Sequence, residues 1–86
     1  MEETREYHAR YHNAVNSPIR RQILRALKRE SMTVEALLLD TGLDSGTLEW
    51  HLGILEHGFC IKKEIRDGKT VYQITKEGTI IEYLEK

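Results

Sequence analysis

His8 and His12 have the i, i+4 spacing that lets two imidazoles meet one metal ion on a helix. Two copies paired along that helix would bring four together. A histidine pair on a polar stripe is also simply solvated, and no third ligand stands beside it, so no metal site is expected. His57 and Cys60 lie three residues apart across a helix end. The thiol is expected to point along a strand into apolar surroundings, where it stays protonated and inert. The carboxylates are scattered, without the pairing that acid–base catalysis needs. One cysteine excludes a Cys-rich zinc finger and an internal disulfide, and points to a reducing, cytoplasmic location. There is no phosphate-binding glycine-rich loop. Neither catalysis nor a cofactor is expected.

The remaining chemistry is charge. The 86 residues carry a formal net charge of −1, which argues against a general nucleic-acid coat protein. The distribution is uneven. Residues 1–30 hold seven Lys/Arg and four Asp/Glu, residues 31–60 hold five acids and no Lys or Arg, and residues 61–86 hold six bases and five acids. A polyanion-binding surface must therefore come from the two outer thirds.

The elements that position these residues follow from periodicity and caps. Hydrophobic residues make up 40% and charged residues 31%, the balance of a folded domain rather than a disordered tail. The apolar runs, such as Leu37–Leu39, are only a few residues long, so neither a membrane span nor a secretory signal is expected. Tyr7, Tyr11 and Val15 share one face of a helix over residues 4–15. Asn16-Ser17-Pro18 ends it and starts another, with Ser17 as cap and Pro18 at the first helical position. Ile19, Ile23, Leu24 and Leu27 then mark the apolar face of a helix from Pro18 to Arg29. Its bases, Arg20, Arg21, Arg25, Lys28 and Arg29, read first as a solvated face. Thr33 caps a helix over residues 34–41, closed by Gly42. Asp44 or Ser45 caps a fourth that ends at Gly58. Two helices joined by a tight turn through Gly42 form a helix-turn-helix. After Gly58 the period changes to that of strands, beginning at Phe59-Cys60-Ile61. Asp67-Gly68 is a strong hairpin signal, Thr70–Ile74 returns, and Thr75 caps a last helix.

The fold class is therefore mainly α with a β-hairpin: a winged helix-turn-helix with a tri-helical core, a wing, and extra N- and C-terminal helices. We read residues 1–86 as one domain, with residues 1–16 the N-terminal helix, 17–75 the winged-helix core and 76–86 the C-terminal helix.

Over about residues 16–75 the chain resembles the arsenical-repressor (ArsR-type) winged helix-turn-helix family and its small archaeal relatives. The resemblance is carried by Ser17-Pro18-Ile19-Arg20 with Ile23, Leu24 and Leu27, by Leu43, Thr47-Leu48, His51-Leu52, Leu55 and Gly58-Phe59, and by Asp67-Gly68-Lys69, Tyr72 and Thr75. It implies a transcription regulator, a homodimeric repressor that binds double-stranded DNA with the helix over residues 45–57 in the major groove and the hairpin over residues 62–72 as its wing. The first and last helices would form the dimer, through Tyr7, Tyr11, Val15, Ile80, Ile81, Tyr83 and Leu84. The alternative is that both helices pack on their own domain. The family's metal sensors carry cysteines in the third helix. Here that segment is Val34-Glu35-Ala36-Leu37-Leu38-Leu39-Asp40, so thiol-based metal sensing is not expected.

At 100° per residue, Leu48, Leu52 and Leu55 point into the core, and Gly46, Trp50, Gly53 and His57 point away. Ser45, Gly46, Thr47, Glu49, Trp50 and Gly53 are thus the candidate base-reading residues. This helix has no Lys or Arg, where the family commonly has some, and Asp44, Glu49 and Glu56 repel phosphate. Glu, Thr and apolar groups can still read base edges, and the amides near Ser45 and Gly46 could hold a phosphate. Lys62, Lys63, Arg66 and Lys69 are the candidate wing contacts, although Lys on an edge strand also guards against aggregation. Arg20 and Arg21 could reach a phosphate. For Arg20 the alternative is an internal ion pair with an acid such as Asp40 or Glu56. Trp50 has three readings open: DNA contact, packing on a neighbouring element, or a protein interface. His51 reads as a structural histidine. The competing function is a winged helix used for protein–protein contact, without strong DNA binding.

Overall fold

The computed structural model describes residues 2–79. In chain order the elements are α1 (Glu2–Val15), α2 (Pro18–Arg29), β1 (Met32–Thr33), α3 (Val34–Thr41), α4 (Ser45–His57), β2 (Ile61–Arg66), β3 (Lys69–Ile74) and α5 (Lys76–Thr79). This is a winged helix-turn-helix: α2, α3 and α4 form the tri-helical core, and β2 and β3 form the wing.

Local chemistry sets the helix ends. The Ser17 hydroxyl accepts from the Arg20 amide at 3.3 Å, with Pro18 in the first turn. Thr33 accepts from the Ala36 amide at 3.2 Å, and Gly42 follows α3 in the left-handed region at φ 71°. Of the two cap candidates for α4, Asp44 is the one used. Its carboxylate accepts from the Thr47 amide at 2.8 Å.

The far end of α4 is an unusual stop. The Cys60 amide donates to the Leu55 carbonyl at 2.9 Å and the Phe59 amide to the Glu56 carbonyl at 3.1 Å, a Schellman pattern. The left-handed position that glycine normally takes is held by Phe59, at φ 66°. Gly58 sits one residue earlier because space, rather than φ, demands it. A Cβ there would stand 2.4 Å from the Ala14 Cβ and 2.7 Å from the Arg10 carbonyl oxygen. Glycine thus lets α4 end against α1, while the Phe59 ring stacks on Tyr7 at 4.5 Å.

The expected hairpin is two strands of a three-stranded antiparallel sheet in the order β1-β3-β2. Met32 pairs with Tyr72 and Thr33 with Val71. A two-residue strand shows no alternation, so nothing in the sequence announced β1. The wing runs in register from Ile61↔Ile74 to Arg66↔Lys69. Asp67 and Gly68 both have positive φ, as a two-residue type I′ turn requires. The strand itself starts at Ile61, after the Phe59-Cys60 corner. Thr75 holds that corner shut: its hydroxyl donates to the Phe59 carbonyl, its amide donates to the Cys60 carbonyl, and its oxygen accepts from the Gly78 amide.

Ile23, Leu24, Leu37, Leu48, Leu52, Leu55 and Cys60 are fully buried. Each large aliphatic among them contributes about 1.5–3 kcal/mol by leaving water. On the expected dimer stripe of α1, Val15 needs correction. Val15 is buried in the chain's own core, Tyr11 packs against that core and donates to the Glu77 carbonyl at 3.2 Å, and Tyr7 covers Phe59. The stripe faces its own domain because α1 closes the core at the end of α4. Ile80, Ile81, Tyr83 and Leu84 lie outside the described residues.

Cys60 is sealed in this core. Burial, reinforced by Glu77, pushes its thiol up to about 12. We expect a thiol reagent such as 5,5′-dithiobis(2-nitrobenzoate) to leave native Cys60 unmodified at pH 8 and to react with one thiol per chain after unfolding. Rapid reaction of the native protein would contradict this packing.

Candidate nucleic-acid interface

Helix α4 divides as its periodicity predicts. Leu48, Leu52 and Leu55 are buried, while Ser45, Gly46, Glu49, Trp50, Gly53, Glu56 and His57 are exposed and Thr47 is half-buried. No atom would crowd a side chain added at Gly53, so the helix is open to an approaching partner there. At the N-terminus, where the amides near Ser45 and Gly46 were expected to be able to hold a phosphate, a carboxylate stands beside them. The Asp44 carboxylate already takes the Thr47 amide, and the Thr47 hydroxyl donates to it at 2.9 Å. Those bonds hold the Asp44 carboxyl below its ordinary range. A second anion would meet a fixed negative charge.

On the wing, Lys62, Lys63, Arg66 and Lys69 are all exposed. Strand alternation puts Lys62 and Arg66 on one face and Lys63 on the other, and Lys69 lies opposite Arg66 in the register. Arg66 pairs with Glu64, which also accepts from the Gln73 amide nitrogen at 2.9 Å. Glu64 thus orders the wing's basic face and neutralises part of it.

Arg20 is the largest departure from the sequence reading. It is only 7% exposed, so it is not a surface phosphate contact. The expected ion pair with Asp40 or Glu56 is not its fate either, and Asp40 pairs with Arg29 at 3.0 Å. The Arg20 guanidinium donates to the Ala14 carbonyl from Nε at 2.9 Å and to the Asn13 carbonyl from Nη2 at 2.9 Å. Its Nη1 lies 3.0 Å from His51 Nδ1. Arg21 Nε donates to the Val15 carbonyl at 2.9 Å. The two arginines therefore satisfy the last carbonyls of α1, where a cation also suits the helix dipole. Their i, i+1 adjacency, six or seven residues after those carbonyls, was the available signal, but it looks the same as a solvated basic pair.

His51 is 7% exposed and, facing an arginine that can only donate, must accept at Nδ1. Burial and the Arg20 charge pull its imidazole below the ordinary 6.5. The fold holds the neutral ring. Its contribution to stability is complete above pH 6.5 and is lost as pH falls through the folded-state value. Trp50 leans on this pair. Its ring lies 4.9 Å from the His51 ring and 5.9 Å from the Arg20 guanidinium carbon, yet it remains 63% exposed. The packing reading of Trp50 thus has a partner in Arg20 and His51, while most of the ring stays exposed.

Among the described residues no group of three or more His, Cys, Asp or Glu is placed to hold a metal, and no helix is long and apolar enough to cross a membrane.

This arrangement defines a winged helix-turn-helix protein whose second helix of the motif and wing stand open to solvent. No protein-family model and no curated protein matches the sequence. Solved structures do. The chain is similar to Mb0332 from Mycobacterium bovis, the homodimeric winged helix-turn-helix DNA-binding domain of a possible ArsR-family transcriptional regulator. The TM-score is 0.88 at 23% identity, over 98% of this chain and 80% of that one. NolR from Sinorhizobium fredii aligns with a TM-score of 0.82 and 27% identity, over 98% of this chain and 86% of that one. The transcriptional repressor BigR from Xylella fastidiosa aligns at 0.77 and 21%, over 98% and 88%.

Proposed function

We propose that this chain is a transcription regulator of the ArsR type that binds duplex DNA as a homodimer and represses. It presents α4 to the major groove and the β2–β3 hairpin to the phosphate backbone. The observation that carries the reading is the joint exposure of the α4 outer face and of four wing bases on a fold shared with a homodimeric DNA-binding domain. In this reading Ser45, Thr47, Glu49 and Trp50 face the base edges, and Gly46 and Gly53 leave room for the duplex to approach the helix. Lys62, Lys63, Arg66 and Lys69 supply the electrostatic affinity that α4 lacks. Arg21 has donors beyond the one given to Val15 and is a secondary phosphate contact. The first helix contributes to the dimer interface, together with Ile80, Ile81, Tyr83 and Leu84, which lie outside the described residues. The chain acts in the cytoplasm, its winged-helix domain is of the small archaeal type, and it is not an enzyme.

Lys69 tests the division of labour. In a dimer, Lys69→Ala removes two phosphate contacts, so the slope of log affinity against log salt is expected to flatten by about 1.8. Fluorescein-labelled duplex and anisotropy at several salt concentrations read it. An unchanged slope would remove the wing from the interface. Arg66→Ala is expected to do less, because Glu64 already holds that guanidinium.

A second reading is a winged helix that binds protein. The acids Glu49 and Glu56 beside the exposed Trp50 favour it. It predicts no salt-dependent duplex binding, and loss of the protein partner on Trp50→Ala.

A further inference from the structure

We propose that Arg20 is a positioning residue that ties the C-terminal end of α1 to Trp50 on α4, with His51 as its neutral acceptor. The inference rests on the reading of α4 as the helix that meets DNA. One guanidinium joins three elements. It rises from α2, takes the Asn13 and Ala14 carbonyls of α1 at 2.9 Å each, and meets His51 Nδ1 of α4 at 3.0 Å. The rigid fork sets these directions together, as a lysine ammonium could not. Trp50 then lies over the same guanidinium and beside the same imidazole. With the ring 63% exposed, the Arg20–His51 pair is the support that sets its direction. Any shift in the end of α1 therefore moves a side chain on the outer face of α4.

The same geometry makes the device acid-sensitive. A protonated imidazole has no lone pair at Nδ1. The hydrogen bond is then lost, and two cations stand about 3 Å apart in a poorly hydrated place. Arg20 from α2 is the charged group that acts on His51, and the contribution of α1 is the pair of carbonyls held by Arg20. Acid should release Trp50 while the helices remain folded. The helix then presents the same residues without a fixed aromatic.

The test reads the free protein and the complex separately. Trp50 is the only tryptophan, so acrylamide quenching reports its freedom without a label. Between pH 7.5 and 5 wild-type quenching should rise with a midpoint below 6.5, with far-ultraviolet circular dichroism unchanged. His51→Gln keeps an acceptor for Arg20 and should abolish that rise, while His57→Gln should retain it. Arg20→Lys should already show high quenching at pH 7.5. In parallel, anisotropy of a fluorescein-labelled duplex should show Arg20→Lys binding about fivefold more weakly at pH 7.5. Relative to His51→Gln, wild-type affinity should decline as the pH falls. If wild type and His51→Gln share one quenching profile, the positioning role is wrong, whether or not either binds duplex. If quenching behaves as expected and wild type does not bind duplex, the positioning stands and the DNA reading falls. Should Arg20→Lys fail to fold, the His51→Gln comparison still decides.

Discussion

Replacing Gly58 with alanine should lower the melting temperature by roughly 12–24 °C, from a destabilisation of about 3 kcal/mol. One methyl group has this effect because both of its neighbours are fixed. The new Cβ would overlap the Ala14 Cβ at 2.4 Å and the Arg10 carbonyl oxygen at 2.7 Å, and the Ile54 carbonyl oxygen stands at 3.3 Å. None of these is the far end of a flexible side chain. Relief requires α1 to move away from α4, which loosens the Tyr7–Phe59 stack and the packing of Ala14 and Val15 together. Ala14→Gly in the same chain removes one of the two severe contacts and should recover part of the loss. Thermal unfolding followed by circular dichroism checks both variants. A melting temperature for Gly58→Ala within about 2 °C of wild type would show that α1 does not approach α4 this closely.

Arg20→Met should cost about 3–4 kcal/mol, read as a lower denaturant midpoint at an unchanged slope. Methionine keeps much of the aliphatic stem, so the loss reports the guanidinium. The Asn13 and Ala14 carbonyls and His51 Nδ1 each lose a charged donor in a place that water reaches poorly. Burial pulls the Arg20 guanidinium below its ordinary value, but it remains a cation at neutral pH, so its bonds are charge-assisted. A solvated surface arginine would show a change within about 0.5 kcal/mol. That smaller result would return Arg20 to the exposed basic face the sequence first suggested.

Most of the architecture is legible from residue types because local and long-range preferences agree. Ser17-Pro18, Thr33 and Asp44 each mark a helix start with chemistry that also works in isolation, and Asp67-Gly68 does the same for the wing turn. The outer face of α4 follows from the 3.6-residue period. What was not legible depends on partners distant in the chain. Strand β1 exists because β3 is there to pair with it. Phe59 takes a glycine's conformation because Tyr7, some fifty residues earlier, receives its ring and Gly58 is needed for the approach to α1. Arg20 and Arg21 are spaced like an exposed basic pair, and their role is visible only once α1 ends where its carbonyls reach them. The same blindness put Val15 in an interface rather than in the core. The candidate wing bases keep the exposure expected of them, and Trp50 keeps most of it, with a support that periodicity could not reveal.

The most direct test is a titration of the unlabelled protein with duplex DNA at about 50 mM salt, followed by stepwise addition of salt, reading the emission of Trp50. Docking of α4 in a groove predicts that the emission changes on binding, that two chains occupy each site, and that affinity falls steeply with salt, by a log–log slope of about 0.9 per phosphate contacted. Unchanged emission with no duplex binding at low salt would contradict the regulator reading and point to a protein as the partner of the exposed Trp50 face.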